Sequence, residues 1–220
     1  MSTQRQKYEQ IRLTAPAQGL LRMIRVGEGT AGPQGYQTMF GGGQFDTSKG
    51  WAHPDRVIDS GRYKSAAAGA YQFLPGTWQE AQQALGLKSF DPVSQDLAAL
   101  YLADRRGALD VLQKGGKLVN VMDKLAPEWA SIPTLQGRSY YGQPVKSVGE
   151  LVKAYEEGKA NYVPSQQTQA AQTTQEQESK PFEGLMSRLT GAALLPLMKQ
   201  PVTPVSSFQN FLNTFGGFIR

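Results

Sequence analysis

Between Pro16 and Gly29 the apolar residues Leu20, Leu21 and Ile24 recur at three- and four-residue intervals, the spacing that gathers side chains on one face of a helix. Gly27 and Gly29 are stop signals, so this helix is predicted to end near Glu28. Ahead of it, residues 1–15 are polar and mixed in charge and read as a flexible N-terminal arm. From Tyr36 to Phe45 the texture turns aromatic and β-prone around Gly41, Gly42 and Gly43, which predicts a hairpin with a permissive turn, and Gly50 to Lys64 reads as loop. Helical signals return after Ala66. Thr77 to Glu80 fits a capping box with Gly86 as the stop, and Asp91-Pro92 is an N-cap followed by proline at the first helical position. Val119 to Trp129 reads as a further helix, and Ser147 to Glu150 repeats the capping pattern before Leu151 to Glu157. The outline is an α+β domain over residues 16–163, five or six helices around one small hairpin.

The pattern stops at residue 164. Residues 164–180 are Gln-, Thr-, Ser- and Ala-rich without a large apolar side chain, too poor in burial to offset their ordering entropy, and read as a linker. Residues 181–220 regain apolar residues, including Phe208, Phe211, Leu212, Phe215 and Phe218 at helical spacing. Such a tail is too short for its own core and is expected to dock on a larger partner.

Composition narrows the chemistry. The 220 residues are 40% apolar and 19% charged, with no cysteine and a single histidine, His53. Thiolate metal sites and cysteine nucleophiles are therefore excluded, no metal or cofactor is expected, and a serine triad would have to be built on His53. An enzyme of this composition rests on carboxylates. The net charge of +5 lies mainly in residues 1–163, which hold 19 Lys and Arg against 15 Asp and Glu. That balance suits an anionic partner such as nucleic acid, a membrane surface or a wall polymer, without choosing among them. No nucleic-acid motif is present, and Arg188, Lys199 and Arg220 are too sparse a set of cations in 181–220 to favour lipid over protein as the tail's partner. No run of 18 apolar residues and no apolar core near the N-terminus predicts a spanning helix or a secretory signal.

Two stretches carry candidate chemistry. Glu28 sits between glycines at a helix C-terminus, where the helix dipole and partial burial both disfavour ionisation and suit a general acid; a solvated surface glutamate is the plainer alternative. The run Ala66 to Ala70 followed by Tyr71, Gln72 and Phe73 joins small side chains to an apolar platform and an amide, a pairing that binds sugars, while tight internal packing explains the same residues. Gly41 to Gly43 lacks the Lys-Ser/Thr of a phosphate loop, and His53-Pro54 reads as a structural loop pair.

Gly27-Glu28-Gly29-Thr30, Gly35-Tyr36, Gly42-Gly43, His53-Pro54, Ala68 to Leu74 with Trp78, Ser94-Gln95-Asp96, Arg106 to Leu109, Trp129 to Pro133 and Tyr141-Gly142-Gln143 together resemble, in order, the lambda-type phage endolysins. These are peptidoglycan lytic transglycosylases of glycoside hydrolase family 104, in the lysozyme-like superfamily. The resemblance covers roughly Leu20 to Gly158. It implies a lysozyme-like fold, glycan strands of peptidoglycan as substrate, and Glu28 as acid and then base. It further implies a cleft lined by Tyr36, Tyr71, Gln72 and Phe73, with Tyr141 and Gln143 on the far side. Two departures stand out: the family commonly has serine where this chain has Gly27, a change expected to loosen a hydrogen bond near the acid, and the stretch between Pro133 and Tyr141 is longer than usual. A true hydrolase using Asp46, Asp55 or Asp59 as the second carboxylate remains an alternative, as does a wall-binding structural module. The tail favours a virion-associated enzyme docked on virion proteins through 181–220, against a free endolysin released from the host cytoplasm.

Overall fold

The computed structural model of the chain describes residues 3–61 and 63–164; the tail at 181–220 and nearly all of the linker, with the docking expected of them, lie outside this range. The elements run α1 (Thr3–Arg12), α2 (Ala15–Gly27), β1 (Ile58–Asp59), β2 (Lys64–Ser65), α3 (Pro75–Leu85), α4 (Pro92–Arg105), α5 (Ala108–Gln113), α6 (Leu118–Leu125) and α7 (Val148–Ala160). Among the described residues there are thus seven α-helices and one two-stranded sheet. None of these helices is long and apolar enough to cross a membrane.

Caps explain most of the boundaries. Thr14 caps α2 by accepting from the Ala17 N–H, Pro16 sits in the first turn, and Gly27 ends the helix one residue before Glu28, as the spacing predicts. Asp91 accepts from the Ser94 N–H at 2.9 Å and Ser147 from the Glu150 N–H at 3.2 Å, so α4 and α7 begin at the expected residues. Gly86 closes α3 in the left-handed region. The capping box expected at Thr77 does not form. The helix starts two residues earlier at Pro75, whose missing N–H costs nothing in a first turn, and Leu74 caps it without a side-chain bond.

Two readings need correction. Residues 3–12 of the expected flexible arm form α1, in which Tyr8 is 1% exposed and its hydroxyl, with Lys7 Nζ, donates to Asp104 of α4 at 2.7 and 2.6 Å. Two buried side chains, Tyr8 and Ile11, suffice to seat a ten-residue helix, and so short a stripe leaves little periodic signal. The hairpin is also displaced. The paired strands are β1 and β2, with Ile58 opposite Ser65 and Asp59 opposite Lys64, inside the segment read as loop. Residues 35–45 instead form two 3-10 turns and a single bridge between Thr38 and Gln44, because Met39 turns away to bridge Ala68. The permissive turn itself is where the glycines predict it, Gly41 and Gly42 having φ of 81° and 90°.

The core forms around α2 and α4. Leu20, Leu21, Met23 and Ile24 bury one side of α2, while Leu97, Leu100 and their neighbours bury α4 on every side. α2 also meets α7, closely enough that the contact is made by glycines. A Cβ on Gly158 would lie 2.7 Å from the Gln18 carbonyl oxygen and 2.8 Å from the Gly19 Cα; one on Gly19 would lie 2.7 Å from the Tyr155 carbonyl oxygen. Gly149, near the start of α7, faces open space. Gly158→Ala should therefore lower stability by about 1–3 kcal/mol, since backbone must move to admit the methyl. Gly149→Ala should raise it by up to about 1 kcal/mol through helix propensity alone. Thermal melts of the two variants check this, and equal shifts in the same direction would contradict the close crossing.

Candidate active site

Glu28 is the first residue past α2, and its N–H donates to the Ile24 carbonyl at 2.9 Å. The turn after it is locked from both sides. The Thr30 N–H returns to the Arg25 carbonyl at 2.8 Å and its hydroxyl donates to the Ala70 carbonyl, so the end of α2 is tied to the 66–73 segment. From the other side Ser131 Oγ donates to Glu28 Oε1 at 2.6 Å. The carboxyl is half-buried, and burial pushes its pKa above the ordinary glutamate value while the Ser131 bond pulls the other way. Gly27 bears on this bond. A Cβ at residue 27 would lie 3.0 Å from Ser131 Oγ, so the glycine expected to loosen a hydrogen bond near the acid leaves room for the serine that supplies one.

The 66–73 segment explains its own composition. Phe40 N–H donates to the Ala67 carbonyl and Gly69 N–H to the Thr38 carbonyl, both at 2.8 Å, and Gly69, at φ 80°, meets Gln95 so closely that a Cβ would lie 2.3 Å from its Oε1. What the small residues admit is the chain itself, the plainer of the two readings. Gln95, fully buried on α4, accepts from the Ala70 N–H at 2.8 Å and donates to the Tyr36 and Phe90 carbonyls at 3.0 and 2.7 Å. Next to it, Asp96 Oδ1 accepts from the hydroxyls of Tyr71 at 2.6 Å and Tyr36 at 2.8 Å. His53 is structural too, its Nε2 lying 2.8 Å from the Phe73 carbonyl.

A cleft of about 670 Å³ opens beside Glu28. Tyr71, Gln72, Phe73, Tyr141 and Gln143 all border it with Glu28, whereas Tyr36 does not. Tyr36 is corrected to a supporting residue: its hydroxyl is spent on Asp96 and its ring lies under the Arg25 guanidinium, 4.7 Å from the centroid. Tyr71 borders the cleft yet is only 1% exposed, with its hydroxyl turned to Asp96. Gln72, which borders the cleft, adopts a positive φ of 48° and donates from Nε2 to the Thr38 and Gly69 carbonyls, so its remaining side-chain polar atom is the acceptor Oε1. Tyr141 is 58% exposed and anchored by its hydroxyl to the Pro127 carbonyl at 2.7 Å.

The aspartates weighed as second carboxylates lie elsewhere. Asp46 caps the Ser48 N–H, Asp59 pairs with Lys64 at 2.9 Å, and none of Asp46, Asp55 and Asp59 borders the cleft. The other carboxylate that does is Glu128, held by the Arg106 guanidinium at 2.8 and 2.9 Å. Ser131, Glu128 and Arg106 are the site residues that sequence reasoning passed over, although Trp129 to Pro133 and Arg106 to Leu109 were both visible as motifs.

The chain matches the endolysin family over residues 18–162, a span that includes Glu28 and the whole cleft. It belongs to the lambda-type phage endolysins. It is 33% identical to the endolysin of Escherichia phage lambda over 124 residues, 56% of this chain and 74% of that relative. It is 32% identical to the endolysin of Escherichia phage P2 over 149 residues, 61% of this chain and 87% of the relative. Its fold is similar to that of bacteriophage lambda lysozyme complexed with a chitohexasaccharide, with a TM-score of 0.59 and 32% identity across 66% of this chain and 94% of that one. A second structure of lambda lysozyme gives 0.57 and 29% over the same shares. The expected α+β lysozyme-like fold is therefore the fold found, and as an endolysin the chain is an enzyme of the host cell wall's peptidoglycan.

In this endolysin the raised pKa of Glu28 has a consequence for stability. The folded chain holds the Glu28 proton more tightly than the unfolded chain does. The group's contribution is therefore whole below the ordinary carboxyl pKa and is lost as pH rises through the raised value. Glu28→Gln, which has no charge to bury, should melt above the wild type at about pH 7 and lose that advantage near pH 3. Direct NMR titration should find the Glu28 pKa above that of a free glutamate and higher still in Ser131→Ala; an ordinary value in both would contradict the geometry.

Proposed function

We propose that the chain is a lytic transglycosylase that cleaves the β-1,4 bond between N-acetylmuramic acid and N-acetylglucosamine, with Glu28 serving as acid and then as base. The observation that carries this is one carboxyl at the cleft whose pKa burial raises, with no unengaged second carboxylate bordering the cleft among the described residues, Glu128 being held by Arg106. Hydrolysing glycosidases of the usual kind need two carboxyl groups flanking the scissile bond. Here Glu28 gives its proton to the bridging oxygen as the bond from C1 breaks, and the leaving sugar departs as an alcohol. The substrate's own N-acetyl oxygen covers the electron-poor C1. Glu28, now a carboxylate, takes the proton of the muramyl 6-hydroxyl as that oxygen bonds to C1 and the N-acetyl oxygen withdraws. The product is a 1,6-anhydromuramyl end, and Glu28 is again protonated. Attack from within one ring replaces an external water, and that proximity supplies part of the rate.

The surrounding residues support these steps. Ser131 fixes the carboxyl's direction at 2.6 Å, Gln72 Oε1 is an acceptor for a sugar hydroxyl or amide N–H, and Tyr141 with Gln143 forms the far wall. The bound chitohexasaccharide of the lambda lysozyme structure fits a glycan strand as the occupant of this cleft. The hydrolase alternative is weaker, since its three aspartates lie outside the cleft. Association with a virion rests on residues 181–220 alone, and the endolysin names of the relatives fit equally an enzyme freed from the host cytoplasm.

Mass analysis of muropeptides released from purified sacculi tests the reading. The wild type should yield anhydromuramyl ends, and Glu28→Gln should cut the rate by about 10²- to 10⁴-fold without unfolding the chain. Reducing muramyl ends would point to hydrolysis instead. Ser131→Ala, which removes the bond favouring the carboxylate, should move the alkaline limb of the pH–rate profile to higher pH.

A further inference from the structure

Beyond the cleft, the segment between Pro133 and Val145 forms a second depression of about 620 Å³, lined among others by Thr134, Gln136, Arg138, Ser139 and Tyr140. It adjoins the cleft, Gln143 and Pro144 bordering both. The loop that builds it is fixed by its own bonds. Thr134 N–H and Oγ1 both donate to the Arg138 carbonyl at 2.9 and 2.8 Å, Leu135 N–H donates to Asp123 at 2.9 Å, and Ser139 Oγ donates to the Ala130 carbonyl at 3.1 Å. Arg138 is exposed at the tip of this turn, and no carboxylate among the described residues pairs with it. No acidic side chain lines the depression. Tyr140 is 60% exposed and stands edge-on to Tyr141, with ring centroids 5.1 Å apart.

An exposed guanidinium and an open phenol ring on one hydrogen-bonded loop, with amide and hydroxyl groups in the same depression and no acid lining it, fit a short anionic peptide better than a neutral sugar. Peptidoglycan supplies such a group next to every bond this enzyme would cut. Each muramic acid bears a lactyl-linked peptide whose acidic residue keeps a free carboxylate, and a strand seated in the cleft must lead its peptides out over a rim. We propose that this depression is a subsite for the peptide stem, with Arg138 pairing the stem carboxylate and Tyr140 covering the apolar lactyl and alanyl part. The proposal rests on the wall-cleaving function given above. The same loop is tied back to the Ala130 and Ser131 carbonyls, through Ser139 Oγ and the Lys146 N–H, so an occupied subsite lies one connection from the partner of Glu28.

The test compares linear, uncrosslinked glycan strands that keep their stems with the same strands stripped by an amidase. For Arg138→Ala and Tyr140→Ala the ratio of initial rates, stem-bearing over stripped, should fall about three- to fivefold relative to wild type, the scale of one exposed ion pair. Arg138→Glu should lower it further, Arg138→Lys should retain most of it, and added salt should shrink the difference. Equal losses on both strands would mean that the loop serves the glycan or merely the fold, and unchanged ratios would mean that it touches no stem; either overturns the proposal. Calorimetry with the Glu28→Gln chain gives a readout that needs no cleavage. Tighter binding of stem-bearing strands, abolished by adding Arg138→Ala, is the expected result, and equal affinity for the two strands overturns the subsite. A wild-type chain that cuts neither strand sinks the transglycosylase reading instead, and the two failures are told apart.

Discussion

The site depends on two polar side chains that α4 carries into the core. Residues 29–73 cross the front of the molecule with almost no regular sheet, so their backbone groups need partners from outside the segment. Gln95 supplies two such bonds, to Ala70 and Tyr36, with a third to Phe90 beyond the segment, and Asp96 takes the hydroxyls of Tyr36 and Tyr71. A helix buried on all sides would ordinarily be apolar on all sides. Here adjacent amide and carboxylate groups convert an irregular chain into a fixed floor. The floor in turn holds the Thr30 turn through Ala70, and that turn sets where α2 ends and where Glu28 points.

The same arrangement explains why the small side chains are found where they are. Gly69 lies against the Gln95 amide and Gly35 against the Thr30 carbonyl, so close that a Cβ would displace the buried Gln95 side chain at the first and backbone at the second. Gly27 clears space for Ser131 in the same way. These residues bring nothing chemical of their own. Their effect is to let polar groups from distant parts of the chain, residues 95, 30 and 131, approach to hydrogen-bond distance of the backbone or of the acid.

Much of this was legible from local signals. The end of α2 at Glu28, the Asp91-Pro92 and Ser147 starts and the Gly86 stop follow from caps whose partners lie within a few residues. Readings that hinge on distant partners fared worse. A sheet of two residues per strand has no alternation to detect, and α1 is held by Asp104, about a hundred positions away. Tyr36 looked like a sugar platform because its aromatic character is visible in sequence, while the Asp96 and Arg25 groups that claim it are not adjacent to it. Ser131 was invisible as a partner of Glu28 for the same reason, 103 residues separating the two.

Among the described residues burial raises the pKa of two carboxyls, Glu28 and Asp96, so a raised pKa by itself nominates both. Their surroundings separate them. Asp96 is met by two phenol donors, and the Arg12 and Arg25 guanidiniums favour its charged form; it is buried and does not border the cleft. Its phenol donors are themselves held above their ordinary pKa by burial and by its negative charge. Glu28 has one neutral donor, Ser131, and borders the cleft of about 670 Å³. The first carboxyl organises because its bonds are all internal. The second can do chemistry because one of its sides is left for a substrate, and the floor built on the first is what keeps that side aimed at the cleft.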